Sequence, residues 1–223
     1  MLSYYNESSF TIPLQSARAL TIMNEQELFW KGSFGDQYVE RVNGDDFISA
    51  KVDFFSQALR TTHDVGSVID LGANRGLNAI AIKSLLPTVK YTGVEISDKA
   101  YEQLASNPSV DTAIHASIHD FSTSNTFDLA MITGVMIHLN PDTLSSVYNL
   151  LHSLSNQFIL ISEYYNPTPV EIDYRGHKGK LFKRDFCGEF VSQTNAKLLD
   201  YGFLYHGDTK YKHADMTWFL LRK

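Results

Sequence analysis

Asp70, Gly72 and Gly76 fall within one short run, "SVIDLGANRGLNAIAI" (residues 67–82), and their order carries chemistry. Apolar residues lead into an acid, two glycines follow, and a stretch rich in alanine and isoleucine begins. A chain that leaves a buried strand, turns tightly and enters a helix has this pattern. The helix start offers unbonded backbone N–H groups and the positive end of a dipole. A dinucleotide-binding turn would carry a further glycine at position 74, where the backbone approaches a pyrophosphate. Asn74 stands there instead. The turn therefore suits a nucleotide-like ligand with an amino acid end, whose carboxylate meets N–H groups and whose ammonium meets an acidic side chain.

Further polar residues fall at matching places downstream. Glu95 in "GVEIS" follows the turn by about two dozen residues, near the spacing of the acid that holds ribose hydroxyls. Asp120 in "SIHDF" is placed to accept from an adenine amino group. His138 in "VMIHLNP" has the side chain best suited to general base work, the alternative being a histidine bonded to the following loop. Glu163, Tyr164 and Tyr165 in "ISEYYNPTP" are expected at the same edge, where they contact an acceptor or close the pocket. "YRGHKGKLFKRDF" gathers Arg175, Lys178, Lys180, Lys183 and Arg184 in an otherwise acidic chain. It reads either as a solvated charged loop or as a lid that neutralises a carboxylate, phosphate or nucleotide, with Arg175 or Arg184 as a bidentate clamp.

The elements that must position these residues alternate. Short apolar runs at 67–71, 90–94, 112–116, 127–133 and 157–163 predict strands covered on both faces. Helices are predicted between most of them, at 77–86, 98–105 and 141–154, the last with proline in its first turn. Strand–helix alternation means a parallel α/β sheet. After a helix predicted over 185–199, runs at 203–206 and 217–221 are separated only by a loop, so they pair antiparallel. Upstream, Asp45 and Asp46 are expected to cap a helix in which Ile48, Val52, Phe55 and Leu59 recur at helical spacing. The first 45 residues read as irregular, aromatic loops with short helical pieces.

With 223 residues the chain suits one domain, 43% of it hydrophobic and 20% charged. A net charge of -6 speaks against a nucleic-acid partner. One cysteine, Cys187, excludes an internal disulfide framework and fits a reducing compartment. No apolar run spans a bilayer and "MLSYYNESSF" lacks a signal-peptide pattern, so a cytoplasmic protein without membrane insertion is expected. No Cys/His cluster has metal-ligand spacing, so no metal is expected. Oligomeric state is not legible.

"VIDLGANRG", "GVEIS", "SIHDF", "FDLAMITGVMIHLNP" and the terminal strand pair together resemble the class I S-adenosylmethionine-dependent methyltransferases, over residues 65–223 or so. The resemblance implies a Rossmann-like seven-stranded sheet, order 3-2-1-4-5-7-6 with the seventh strand antiparallel, helices on both faces and an N-terminal aromatic cap. It implies S-adenosylmethionine as donor and S-adenosylhomocysteine as product. Asp70, Gly72, Ala73, Asn74 and Gly76 would line the methionyl part, Glu95 and Ile96 the ribose and adenine face, and Asp120 the adenine amino group. Thr133 and Gly134 would lie beside the methionyl group.

In this frame residues 1–62 form a cap and helix, and 63–223 a core with a basic lid near 174–186. Trp30, Tyr38 and Arg41 would close over the donor, with Gly32 and Gly35 as hinges. The other reading of the aromatics is hydrophobic cover for the sheet edge. His138, Glu163 and Tyr165 are the catalytic candidates, and Tyr164, Arg175, Lys180 and Arg184 the acceptor-binding ones. "WKGSFGDQYVERVN", "HKGKLFKRDFCGEF" and "TWFLLRK" are further similar to methyltransferases associated with pseudaminic acid biosynthesis. That likeness implies a small, anionic, sugar-related acceptor, free or nucleotide-activated. Val42 before Asn43 departs from that branch's pattern. Methylation of a protein side chain or another metabolite, and donor binding without catalysis, remain open alternatives.

Overall fold

The computed structural model describes residues 23–41 and 45–223. The segment "MLSYYNESSF", most of the stretch read as aromatic loops before position 23, and Val42 and Asn43 lie outside the described residues. Five parallel strands come first: β1 (Ser67–Leu71), β2 (Lys90–Glu95), β3 (Thr112–His115), β4 (Phe127–Thr133) and β5 (Ser155–Glu163). A two-stranded ribbon follows, β6 (Val170–Glu171) with β7 (Phe182–Lys183), and then the terminal pair β8 (Lys197–Leu204) and β9 (Met216–Arg222). The main sheet has seven strands in the order β3-β2-β1-β4-β5-β9-β8. Only β9 runs against its neighbours. With the ribbon counted apart, this is the expected order 3-2-1-4-5-7-6.

Period-two alternation gives each sheet face its own core. Ile69, Leu71, Ala130, Ile132, Ile159 and Ile161 face α6 (Leu144–Leu154) and α7 (Phe186–Thr194). Val68, Leu129, Met131, Phe158 and Leu160 face α3 (Asp45–Ala58) and α4 (Leu77–Leu85). Asp70 lies on this second face, fully buried. α5 (Asp98–Ala105) packs beside β2 and β3.

Three local expectations need correcting. α7 stops at Thr194 rather than near 199, because Asn195 takes a left-handed conformation (φ 61°) and ends the helix with its N–H on the Val191 carbonyl. Residues 197–204 then extend along β9. Asp45 is itself helical, and the Asp46 carboxylate pairs with Lys212 instead of capping α3. In the aromatic cap the expected short helical pieces are α1 (Glu25–Lys31) and α2 (Ser33–Arg41), with less loop between them than the sequence suggested. Asn24 and Glu27 make a reciprocal capping box at the start of α1.

Gly32 ends α1 and Gly35 lets α2 fold back on it. A Cβ on Gly35 would lie 1.8 Å from the Trp30 carbonyl oxygen. Gly35 is a close-packing position, not a hinge. Among the described residues no helix is long and apolar enough to cross a membrane.

Gly35→Ala is expected to push α2 off α1 and expose Trp30, giving a red shift in tryptophan emission. The main unfolding transition should fall by about 1–3 kcal/mol, the usual cost of overpacking, as read by urea titration.

Candidate active site

The C-terminal edge of the parallel strands carries the loops that shape the site. After β1 the chain turns through Gly72 (φ 81°) and Asn74 (φ 49°). A Cβ on Gly72 would meet Val135 at 2.5 Å, so glycine is needed there for space as well as for its dihedral. Asn74 takes the left-handed conformation that asparagine tolerates better than most residues, and its Oδ1 accepts the Arg75 N–H at 2.7 Å. Replacement of the dinucleotide glycine by asparagine thus leaves the turn left-handed. Gly76 (φ 83°) leads into α4.

Two buried acids hold this edge. Glu95, at the end of β2, accepts N–H bonds from Ile96 (2.9 Å) and Ser97 (2.8 Å) on Oε1 and from Asn74 (2.8 Å) on Oε2. Burial raises its pKa and these bonds oppose the rise. Glu163, at the end of β5, accepts from Val135 (3.0 Å) and Met136 (2.9 Å) on Oε1, and from Ile137 (3.4 Å) on Oε2. Burial pushes its pKa up to about 8 against those N–H groups. Beneath the turn, Asp70 accepts from the Tyr91 hydroxyl and from Asn78 Nδ2 (2.9 Å).

Two cavities open along this edge. The first, of about 170 Å³, is lined by Gly72, Ala73, Asn74, Glu95, Ile96 and, from the cap, Trp30. The second, of about 230 Å³, is walled by Tyr164, Tyr174, His213 and residues of α3. Tyr38, Lys51, Thr133, Gly134 and His138 line both, so the cavities meet at the end of β4.

His138 is buried against Trp30 and Tyr174, with ring centroids 4.6 and 4.8 Å away. Its Nδ1 donates to the Lys180 carbonyl at 2.6 Å, since a carbonyl can only accept. Nε2 is then the lone-pair nitrogen. Burial lowers the imidazole to about 4, with the carbonyl bond opposing, so the ring is neutral at pH 7. His138 thus combines both sequence readings, bonding the later loop while lining the cavities.

The other expected residues separate. Asp70 and Gly76 support the turn from below and do not reach the cavity wall. Asp120 is a correction: its N–H and that of Phe121 close a turn on the Ser117 carbonyl, which leaves the Asp120 side chain in solvent. Ser117, Ile118 and His119 line the cavity in its place. Arg41 is exposed, its guanidinium 5.3 Å from the Phe34 ring centroid and 5.7 Å from that of Tyr38. Glu163 is spent on backbone N–H groups. Tyr165 is 44% exposed and lies off both walls.

The basic segment is also reassigned. Lys180 is buried and pairs with Glu25, and Arg184 Nε bonds Glu189 Oε1 at 2.7 Å. Arg175 is exposed beside Tyr174. Glu25 and Glu189 pair with Lys180 and Arg184, so the segment is a clamp on α1 rather than a free cationic lid. Gln26 strengthens that clamp, its Nε2 donating to the Gly179 carbonyl at 3.0 Å.

Sequence reasoning missed Gln26, Glu27, Lys51, Arg75 and Asn78 on the first wall. For Lys51 a signal existed: it shares a helical face with Phe47, Phe54, Phe55 and Ala58. Among the described residues, Gln26 Oε1 and Trp30 Nε1 are buried without a hydrogen-bond partner, an acceptor and a donor on the wall of the same cavity. Such atoms are costly unless a ligand meets them.

Residues 68–156 match the family described as "Methyltransferase domain". The structure is similar to a SAM-dependent methyltransferase from Leishmania major, with 16% identity, a TM-score of 0.67, and coverage of 90% of this chain and 87% of that one. It is also similar to magnesium protoporphyrin IX methyltransferase from Synechocystis with bound SAH (14% identity, TM-score 0.64, 87% and 96% covered). A third is 1,6-didemethyltoxoflavin-N1-methyltransferase from Burkholderia thailandensis, bound to 1,6-didemethyltoxoflavin and S-adenosylhomocysteine (15% identity, TM-score 0.62, 86% and 84% covered). A search of curated proteins finds no match. Residues 68–156 thus match a methyltransferase domain, and the seven-stranded fold is the one expected, shared with these methyltransferase structures.

Glu163→Ala is expected to cost about 3 kcal/mol by leaving buried N–H groups unmet, whereas Glu163→Gln keeps an oxygen for Val135 and Met136 and costs about 1 kcal/mol. The folded pKa of Glu163 lies above the 4.5 usual for glutamate, so its contribution to stability is full below pH 4.5 and is lost as pH rises through about 8. Urea titrations across that window should show the wild type losing stability relative to Glu163→Gln. A pH-independent difference would contradict this account.

Proposed function

We propose that the chain transfers a methyl group from S-adenosylmethionine to a small, anionic, sugar-related acceptor. The observation that carries this reading is the meeting of two cavities at Thr133 and Gly134, one walled like a nucleoside site and one that has no carboxylate on its wall among the described residues. When bound, S-adenosylmethionine supplies an electrophilic methyl on a sulfonium sulfur. Glu95 holds the ribose hydroxyls, Ile96 packs on the adenine, and Gln26 Oε1 accepts from a ligand N–H or O–H. The guanidinium of Arg75 and the N–H groups of the turn hold the methionyl carboxylate. Trp30 and Tyr38 cover the site and exclude water.

On the acceptor side, His138 Nε2 takes the proton from the attacking hydroxyl as the oxygen–methyl bond forms and the sulfur–methyl bond breaks, with S-adenosylhomocysteine as the leaving thioether. The Lys180 carbonyl steadies the imidazolium that results. Tyr164 and Tyr174 supply hydroxyls and faces for a polyhydroxylated ring. The likeness of "WKGSFGDQYVERVN" and its companions to the pseudaminic acid branch supports a nine-carbon sugar acid or its nucleotide form. This reading carries with it a single-domain cytoplasmic enzyme that needs neither nucleic acid nor metal. The acceptor cavity favours catalysis over donor binding alone.

S-Adenosylhomocysteine is expected to raise Tm, and NAD to leave it unchanged; the opposite pattern would overturn the donor. Glu95→Ala should weaken S-adenosylhomocysteine binding by about tenfold, read by calorimetry. His138→Asn should lower kcat by about 10²-fold with donor affinity kept, in line with general base catalysis. Mass spectrometry of sialic-like sugars, their nucleotide forms and peptides after incubation with labelled donor identifies the acceptor; label on peptides alone would refute a sugar.

A further inference from the structure

The wall common to both cavities contains a single Lys or Arg side chain, Lys51. Its ammonium emerges from the apolar face of α3, and burial depresses its pKa while Asp70 acts the other way. Nζ donates to Asn78 Oδ1 at 2.6 Å. That partner is neutral and uses one of three N–H donors. Asp70 is already engaged by Tyr91 and Asn78, and no ion pair neutralises Lys51 among the described residues. A buried ammonium in this state favours an incoming anion.

Apart from His138, which is neutral, the remaining basic side chains of the second cavity are already matched. Lys212 pairs with Asp46, and His213 Nε2 lies 3.0 Å from Asp53. Arg75 lines the first cavity only, whereas Lys51 lines both. The cation left to meet an anion from the second cavity is therefore Lys51.

We infer that Lys51 anchors the acceptor by holding its anionic group, a carboxylate or a phosphate, at the junction of the two cavities. This rests on the methyl-transfer reading above and narrows it. Asn78 bridges Lys51 to the end of β4, since its Nδ2 donates to Thr133 Oγ1 at 3.2 Å. An anion on Lys51 thus sits one side chain away from Thr133, where the cavities meet. The atom that receives the methyl accordingly lies within a few bonds of the anionic group, not at the far end of the acceptor. Specificity follows from the same contact: a neutral analogue leaves the ammonium buried and unpaired.

The test uses the full chain saturated with S-adenosylhomocysteine and three probes: N-acetylneuraminic acid, its methyl ester, and glucose 6-phosphate. Calorimetry on the wild type should show the acid, the phosphate or both binding at least about tenfold more tightly than the ester. Lys51→Met should abolish that preference, Lys51→Arg should keep most of it, and both should bind S-adenosylhomocysteine within about threefold of wild type. Binding by the acid alone or the phosphate alone identifies which anion the anchor takes. Equal binding of acid and ester with no gain for the phosphate, a preference that survives Lys51→Met, or a loss confined to S-adenosylhomocysteine would overturn the inference. Failure of the wild type to bind S-adenosylhomocysteine would instead overturn the donor assignment.

Discussion

Everything at the site depends on one constraint of parallel sheets. Strands that all end at one edge send their loops across it, and the backbone N–H groups of those loops point into a region closed to water. Here two acids at strand ends meet that demand. Glu95 on β2 reaches across to the turn after β1, and Glu163 on β5 reaches across to the turn after β4. β1 and β4 are neighbours at the centre of the sheet, so the two acids brace the central pair of loops from either side. The distinction between them lies in access. Glu95 lines a cavity while Glu163 lines neither, and that difference separates a cavity-facing acid from a scaffold.

The cap is held by polar latches around an aromatic centre. Trp30, Phe34, Tyr38, Tyr174 and His138 pack edge and face, with centroid distances from 4.6 to 6.4 Å. Around them Glu25 meets Lys180, Gln26 meets the Gly179 carbonyl, and Glu27 meets the Ser117 hydroxyl. The clamp brings the basic segment, the cap and the loop after β3 together over the first cavity. It also orients His138, because the carbonyl that fixes its Nδ1 belongs to the same clamp, while burial keeps the ring neutral.

The order of strands and helices was legible because it is written in local patterns. Apolar runs of strand length, Pro141 near the start of a helix and the helix-free terminal pair all reflect near neighbours in the chain. The glycine turn was legible for the same reason, down to Asn74, whose left-handed conformation is a property of the residue itself. The end of α7 was not, since a run such as "AKLLDYGFL" is compatible with helix or strand until β9 offers it hydrogen bonds. Likewise the cap read as loops with short helical pieces of unfixed bounds, because its two short helices are stabilised by the core they cover.

For the site, the sequence by itself determined which residue types stand at the strand ends: the glycine turn, Glu95, Thr133–Gly134 and His138. Only the tertiary structure decided which of the charged residues are free to act. Lys180 and Arg184 are matched by Glu25 and Glu189, Glu163 by backbone, and Asp120 is turned into solvent, while Lys51 is left without an ion pair among the described residues. The physical reason is that a charge's role depends on its partner and its burial. Both are set by residues such as Glu25 and Lys180, which lie 155 positions apart in the chain.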